Sequence, residues 1–416
     1  MERSALFTLG MLALAAGGLS AAPGEVVTVV GNDDGATDRQ AIQDAIDAVG
    51  PGGTVELVGT FQLDGERIEV GVDGLEIRGA RVDADGDGGF HEDWPDGRDN
   101  DGDGLVDEDD WDAVLRGVTG PGGAPVRDDG VNGLFNRGFT VDGAVPAVFG
   151  LTVRDLAFED FHRAIELIPE WASPTGRCED RVRVPGSMRQ VLFEGNRFSD
   201  NVLGITVLGD VAQATIRENV FERHAIFGPV VEGGTPRCPL AGGGSVPIEL
   251  TPPEEVTIDD NLGADSPIGT AATINTQIRD NVLEGGAFGI LVAEDTGMRI
   301  SRNRITGAGG GILVVGGDRV TVIENSVADS FSGAELYDSG DGVVVASNEF
   351  SADIGVWVFL GASGYRIVEN SFPASGFVDV WLLSGSTGNT VINGGDPITV
   401  LDQGTDNRLI GNITPF

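Results

Sequence analysis

The sequence predicts an all-β fold, a single-stranded right-handed parallel β-helix with an N-terminal capping helix. Three observations carry that expectation. From residue 190 onward a unit of 22 or 23 residues recurs. Inside each unit apolar and polar residues alternate, the period of a strand with one buried face. Composition agrees, because 65 glycines and only 6% aromatics suit short strands joined by tight turns.

Residues 1–22 hold Arg3, an apolar run from Ala5 to Ala16, and the small residues Ser20, Ala21 and Ala22. They read as an export signal cleaved near Ala21 or Ala22, since the run is too short to span a bilayer. A buried first strand or an uncleaved anchor is the alternative. No later stretch is apolar for long enough to insert in a membrane, so a secreted, periplasmic or cell-surface location is expected.

Residues 23–80 read as the cap and first coils. Thr37 and Asp38 can cap a short amphipathic helix with apolar positions Ala41, Ile42, Ala45, Ile46 and Val49. Gly50, Pro51, Gly52 and Gly53 end it, and strand-like alternation starts at Thr54. A helix at that place would plug the open end of a coil, which otherwise exposes core and unpaired edge groups.

Residues 81–146 form an acidic insert. Asp99, Asp101, Asp103, Leu105 through its carbonyl, Asp107 and Asp110 stand in the register of a twelve-residue calcium loop with Gly104 at its sharp turn. Asp110 takes the place of the usual bidentate Glu, which bears on affinity. The segment resembles the calcium loops of thrombospondin type 3 repeats and dockerins, so Ca²⁺ is the expected cofactor, in a structural role. Asp83, Asp85 and Asp87 form a weaker partial copy. The bland alternative is a solvated acidic loop, although carboxylates so spaced repel one another without a cation.

Residues 147–416 are the regular coils. Each reads apolar–x–apolar–x–x–Asn–x–apolar, then a Gly-rich turn, then a Gly-Ile-x-Val strand. The asparagines are Asn196, Asn219, Asn281, Asn303, Asn325, Asn348, Asn370 and Asn393, with one longer step between Asn219 and Asn281. They are expected to stack at one turn, where Asn tolerates left-handed backbone and its amide can bond the next Asn. A propeller blade would need a longer unit, and a leucine-rich repeat would show its own consensus.

At the cap and in the coils the chain resembles the pectin-lyase-like superfamily. Many members open with D-D-G-x-T-D, then A-I-Q-x-A-I-D, then G-G-T-V, matched here by Asp33–Asp38, Ala41–Asp47 and Gly52–Val55. The resemblance implies the β-helix, a polysaccharide ligand, and a cleft along the Gly-Ile-x-Val strands. It says little about the reaction.

Alternation along those strands predicts two outward columns. One runs Glu166, Thr206, Leu291, Leu313, Glu335, Trp357, Asp379, Thr399; its neighbour runs Ile168, Leu208, Ala293, Val315, Tyr337, Phe359, Trp381, Leu401. Tyr337, Trp357, Phe359 and Trp381 would form a ring platform for sugars. Glu335 and Asp379 would flank it two rungs apart, about 9–10 Å, near the upper limit for an inverting glycosidase pair. The competing reading covers this face with the 169–188 and 228–255 loops or with another subunit.

Other mechanisms find little support. The polygalacturonase motifs are missing, and the three histidines, His91, His162 and His224, leave little imidazole chemistry. The chain has no Lys, which removes lysine bases and the Lys–Arg pair of alginate-lyase and chondroitinase relatives. Asp160, His162, Arg163 and Glu166 stand close together and resemble the carboxylate–His cluster of C5-epimerases without its tyrosine; a surface or structural His is the simpler reading. The formal charge of −40 disfavours nucleic acid and anionic membranes, and disfavours polyuronates unless cations bridge them. Cys178 and Cys238, in loops, read as a disulfide in an oxidising compartment or as two free thiols. The expected function is binding, with lyase or hydrolase cleavage as an option, of polysaccharide. The alternative is a non-catalytic, calcium-stabilised adhesion or accessory scaffold.

Overall fold

The computed structural model describes residues 24–63, 68–80, 111, 113–117, 132–136, 139–140, 148–167, 171–172, 182–183, 188–209, 211–233, 237–239, 245–247, 252–338 and 342–416. The export signal, the calcium loop Asp99–Asp110 with its partial copy, His91, Ile168 and Cys178 lie outside these residues.

Strand pairing follows the repeat. Among the described residues, 33 strands join one hydrogen-bonded network. Inside the coil every strand pairs in parallel with its equivalent one turn later, as in Gln277–Arg279 on Arg299–Ser301 and Phe288–Ala293 on Gly310–Val315. Three sheets result. The first runs from Val26–Val30 to Arg408–Pro415; the second includes Ala157–Glu159, Arg197–Ser199 and Arg304–Thr306; the third includes Arg163–Leu167, Gly310–Val315 and Val378–Leu382. Alternation sends one side chain in two to a shared interior, where Phe158, Phe198 and Phe221 stack at 5.0 and 4.9 Å and Ile258, Ile278 and Ile300 repeat at one register.

The helix spans Gly35–Val49. It starts before Thr37, and Asp38 lies in its first turn, buried, accepting the backbone N–H groups of Asn32, Asp34 and Gln62 at 3.1, 3.1 and 3.0 Å. One carboxylate thus ties helix, preceding turn and first coil together. Ile42, Ala45, Ile46 and Val49 are buried as the periodicity predicts, whereas Ala41 is exposed. Gln43 holds the N–H and C=O of Glu69 at 2.9 and 3.2 Å, which satisfies backbone on a strand at the end of the stack. Gly50 ends the helix with φ 65°.

The asparagines line the turn between the first and second sheets. Asn281, for example, accepts from the Asn261 N–H and amide at 3.1 and 2.9 Å, and donates to Asn303 at 2.9 Å. The run is continuous from Asn196 to Asn370 because Asn261, not anticipated, fills the long step. Two expectations change. The left-handed residue is the one before each Asn (Glu218 φ 55°, Asp280 φ 58°, Glu324 φ 59°), so that the Asn side chain can turn inward. Asn393 is outside the run: Ile392 pairs with Val368, which places Gly394 opposite Asn370, and the Asn393 amide donates to Asp396 and Asn412 carbonyls.

The Gly of Gly-Ile-x-Val has its own cause. A Cβ on Gly311 or Gly333 would stand 2.4 Å from the carbonyl oxygen of Gly333 or Gly355 on the next rung. The rungs can approach at that register only without a side chain.

Candidate functional site

Register decides what the outward face of the third sheet displays. Pairing links Glu166, Thr206, Val230, Gly269, Leu291, Leu313, Glu335, Trp357, Trp381 and Leu401 in one column. Up to Trp357 this matches the alternation reading, with Val230 and Gly269 added. Beyond it the column is displaced by two residues: Trp357 faces Trp381, not Asp379. Val378 follows Asn370 by eight positions, whereas Ile354, its partner in the preceding rung, follows Asn348 by six. The extra pair is taken up by the turns of 371–377.

Trp381 therefore stacks on Trp357, ring centroids 5.5 Å apart and planes 12° from parallel. Trp357 meets Phe359 at 4.2 Å, and Phe359 stacks on Tyr337 at 3.8 Å. All four rings are half-buried. Three more join them: Phe331 meets Trp357 edge-on at 5.8 Å, Phe377 lies 5.6 Å from Trp381, and Phe416 lies 5.4 Å from Phe377. Phe331, Phe377 and Phe416 are 49%, 49% and 63% exposed. Sequence alternation missed them because Phe331 precedes the Gly-Ile-x-Val stretch inside the long strand Ser326–Tyr337, Phe377 directly precedes Val378–Leu382, and Phe416 is at the chain end; for Phe331, two residues before the repeat Gly333, that spacing was a usable signal.

Glu335 stands at the upstream end of this strip, largely buried. It accepts Ser332 Oγ at 2.6 Å and Tyr337 Oη at 3.2 Å. Burial, and then the Glu335 charge and hydrogen bond, push the Tyr337 phenol up to about 12. Asp379 occupies the register that Gly355 holds one rung earlier. Its carboxylate takes the Ser375 hydroxyl, the Thr399 N–H at 2.6 Å and the Thr399 hydroxyl at 2.9 Å. Glu335 and Asp379 are still two rungs apart, about 10 Å along the axis, but also two residues apart along the strand. The combined backbone separation is about 12 Å, wider than the about 10 Å that two positions of one column would have.

The second candidate cluster lies elsewhere. Glu166 is six rungs from Glu335, about 29 Å, and Arg163 holds its carboxylate at 2.5 Å. Burial, then the charges of Asp200 and Glu159, raise the Asp160 carboxyl above its usual range. His224 belongs to the turn between the second and third sheets. It is buried beside Phe221, its Nδ1 2.9 Å from Ser266 Oγ, and burial lowers it to about 3. A groove of about 420 Å³ opens on the second sheet beside Leu262, Val282, Glu284 and Arg304, and shares no residue with the aromatic strip. Among the described residues no three His, Cys, Asp or Glu gather as metal ligands. Cys238 lies in a short hairpin, Arg237–Pro239 on Ser245–Pro247.

Residues 248–412 match the sequence profile of the right handed beta helix region. The chain is a right-handed parallel β-helix. Solved structures share that architecture at low identity. A mannuronic acid specific polysaccharide family 6 lyase from human gut microbiota aligns at 14% identity over 94% of this chain and 82% of its own, TM-score 0.56. The Agl-KA catalytic domain aligns at 12% over 89% and 69%, TM-score 0.55. The DFA-IIIase of Arthrobacter chlorophenolicus A6 aligns at 14% over 91% and 94%, TM-score 0.51. No curated protein matches the β-helix in sequence. Among the described residues no helix is long and apolar enough to cross a membrane.

Proposed function

We propose that this β-helix binds polysaccharide along the third sheet, with Tyr337, Phe359, Trp357 and Trp381 as the platform and Phe331 and Phe377 as its rims. The observation that carries the reading is the contact chain of seven rings on the outside of one sheet. The core is filled by other residues, so the fold does not need these rings, and an apolar patch that continuous on a solvent face marks an interaction surface. Ring faces suit the C–H faces of sugars, while Gln403, 3.5 Å from Trp381 Nε1, offers an amide to hydroxyls. One fold neighbour is by its name a polysaccharide lyase, which is in keeping with such a ligand.

Glu335 is the carboxylate best placed to act on a chain lying there. With Asp379 displaced and held by Ser375 and Thr399, binding without cleavage is favoured over an inverting hydrolase. An exported protein, with Ca²⁺ held by Asp99, Asp101, Asp103, Leu105, Asp107 and Asp110 and a Cys178–Cys238 bond, completes the proposal.

Retention on a panel of immobilised polysaccharides tests it. Wild type is expected to be retained by at least one, and Trp357→Ala with Trp381→Ala to elute unretarded while far-UV circular dichroism is unchanged. Unaltered retention of the double variant rejects the platform. Turnover that Glu335→Gln abolishes, with retention intact, would move the protein from binder to enzyme.

A further inference from the structure

Charge is distributed unevenly round the coil: among the described residues, the third sheet carries one arginine, Arg163 on its strand Arg163–Leu167, paired with Glu166 and about six rungs from the aromatic strip, and no other cation. Its strands Leu203–Leu208, Phe227–Glu232, Ile268–Ala271, Phe288–Ala293, Gly310–Val315 and Val378–Leu382, with the stretches 332–337, 353–358 and 397–402, contain no Arg or His, and the chain has no Lys. The arginines of the same coils are on the other faces. Arg279 and Arg299 stand on the first sheet, Arg304 on the second and Arg302 in the turn between them. Arg279 is bound to Asp259 at 2.6 Å and Arg302 to Asp280 at 2.5 Å. Arg319, in the turn after Gly310–Val315, pairs with Asp318 at 3.0 Å.

On the strip's own strands and at their ends the described charges are acidic. Glu335 lies at its head and Asp379 beside Trp381, while Asp338, Asp353 and Asp402 are exposed at the ends of its strands. Burial, and after it the nearby Glu335, raise the Tyr337 phenol.

We infer that the strip selects an uncharged polysaccharide and excludes polyuronates and sulfated glycans. The inference rests on the proposed platform and deepens it. A polyuronate laid over these rings would bring one anion per sugar residue toward Glu335, Asp338 and Asp402, with no guanidinium or ammonium on the described strands of the sheet from Leu203 onward to meet it. It would do so against a chain of net charge −40. A neutral chain meets no such penalty, because stacking and hydroxyl hydrogen bonds need no counter-charge.

Affinity electrophoresis of the full chain tests this, using neutral polymers (mixed-linkage glucan, galactomannan, fructan) against polymannuronate, polygalacturonate and chondroitin sulfate. Each is run with Ca²⁺ and with chelator, at about 0.05 M and about 0.5 M salt, since an uncharged ligand should be insensitive to screening. Retardation by at least one neutral polymer, unchanged by salt and weakened about tenfold in Trp381→Ala or in the more exposed Phe377→Ala, is the expected result. Retardation by a uronate or sulfated polymer as strong as by any neutral one, and lost in Trp381→Ala, would overturn the charge inference while leaving the platform standing. Binding of neither class would overturn both. Neutral binding undiminished in both ring variants would also overturn it, by placing the ligand elsewhere.

Discussion

The asparagine turn and the outward face of the third sheet are built on the same coils and behave in opposite ways. At the turn, eight successive rungs from Asn196 to Asn370 carry the same side chain, buried, each bonded to the next. On the face, successive rungs carry Leu313, Glu335, Trp357 and Trp381. A turn that must satisfy its own buried backbone groups admits one solution, so it repeats. A face that is not part of the core is free to differ, and its differences are where specificity resides.

That contrast can be broken most severely at the turn. Asn303→Ala removes amide bonds to Ile278, Ser301 and Asn325 and leaves the Asn281 N–H without its acceptor. The expected cost is about 3 kcal/mol, read as a lower denaturation midpoint with polysaccharide retention preserved below the transition. Asn303→Ala as stable as wild type would mean the run is ornamental.

The face should respond in reverse. Trp381→Ala deletes a half-buried ring stacked on one side, so stability should fall by about 1 kcal/mol while retention weakens about tenfold. A drop of about 3–5 kcal/mol would be that of a core ring and would assign the strip to structure.

A third variant sharpens the comparison through pH. His224 stands at a turn but breaks its polar pattern with a titratable ring. Burial holds its folded value near 3 against 6.5 when exposed. The unfolded chain takes up a proton near 6.5 and the folded chain does not until about 3, so stability contributed by neutral His224 is intact above that window and lost as pH falls through it. Thermal scans should show His224→Gln losing less stability than wild type between these limits, with no such difference in slope above pH 7. Identical slopes would mean that the ring takes up its proton in the folded state.

The smallest expected effect on the coils lies in the acidic insert. Calorimetry should detect Ca²⁺ uptake that Asp101→Ala with Asp103→Ala weakens strongly, with little change in the unfolding of the β-helix. Undiminished uptake would assign the ion elsewhere.

Much of this was legible in the residues. Period, alternation and the x-x-Asn position announce the coil, and the Val256-Thr-Ile-Asp-Asp-Asn261 stretch carried the signal for the rung that the long step concealed. The capping helix was legible from its apolar spacing, although its start and the Asp38 contacts were not, because Gln62, which Asp38 reaches, is distant in sequence.

Which faces are buried and which residue types recur follow from the residues alone, because each depends on side-chain period within a strand. Which residue of one rung faces which residue of the next is set by the folded coil. The segment 371–377 adds two residues, and a shift of two leaves every side chain on the face it already had. Alternation is blind to such a shift, yet that shift sets Trp381 on Trp357, moves Asp379 out of the Glu335 column, and draws Phe377 and Phe416 into one surface.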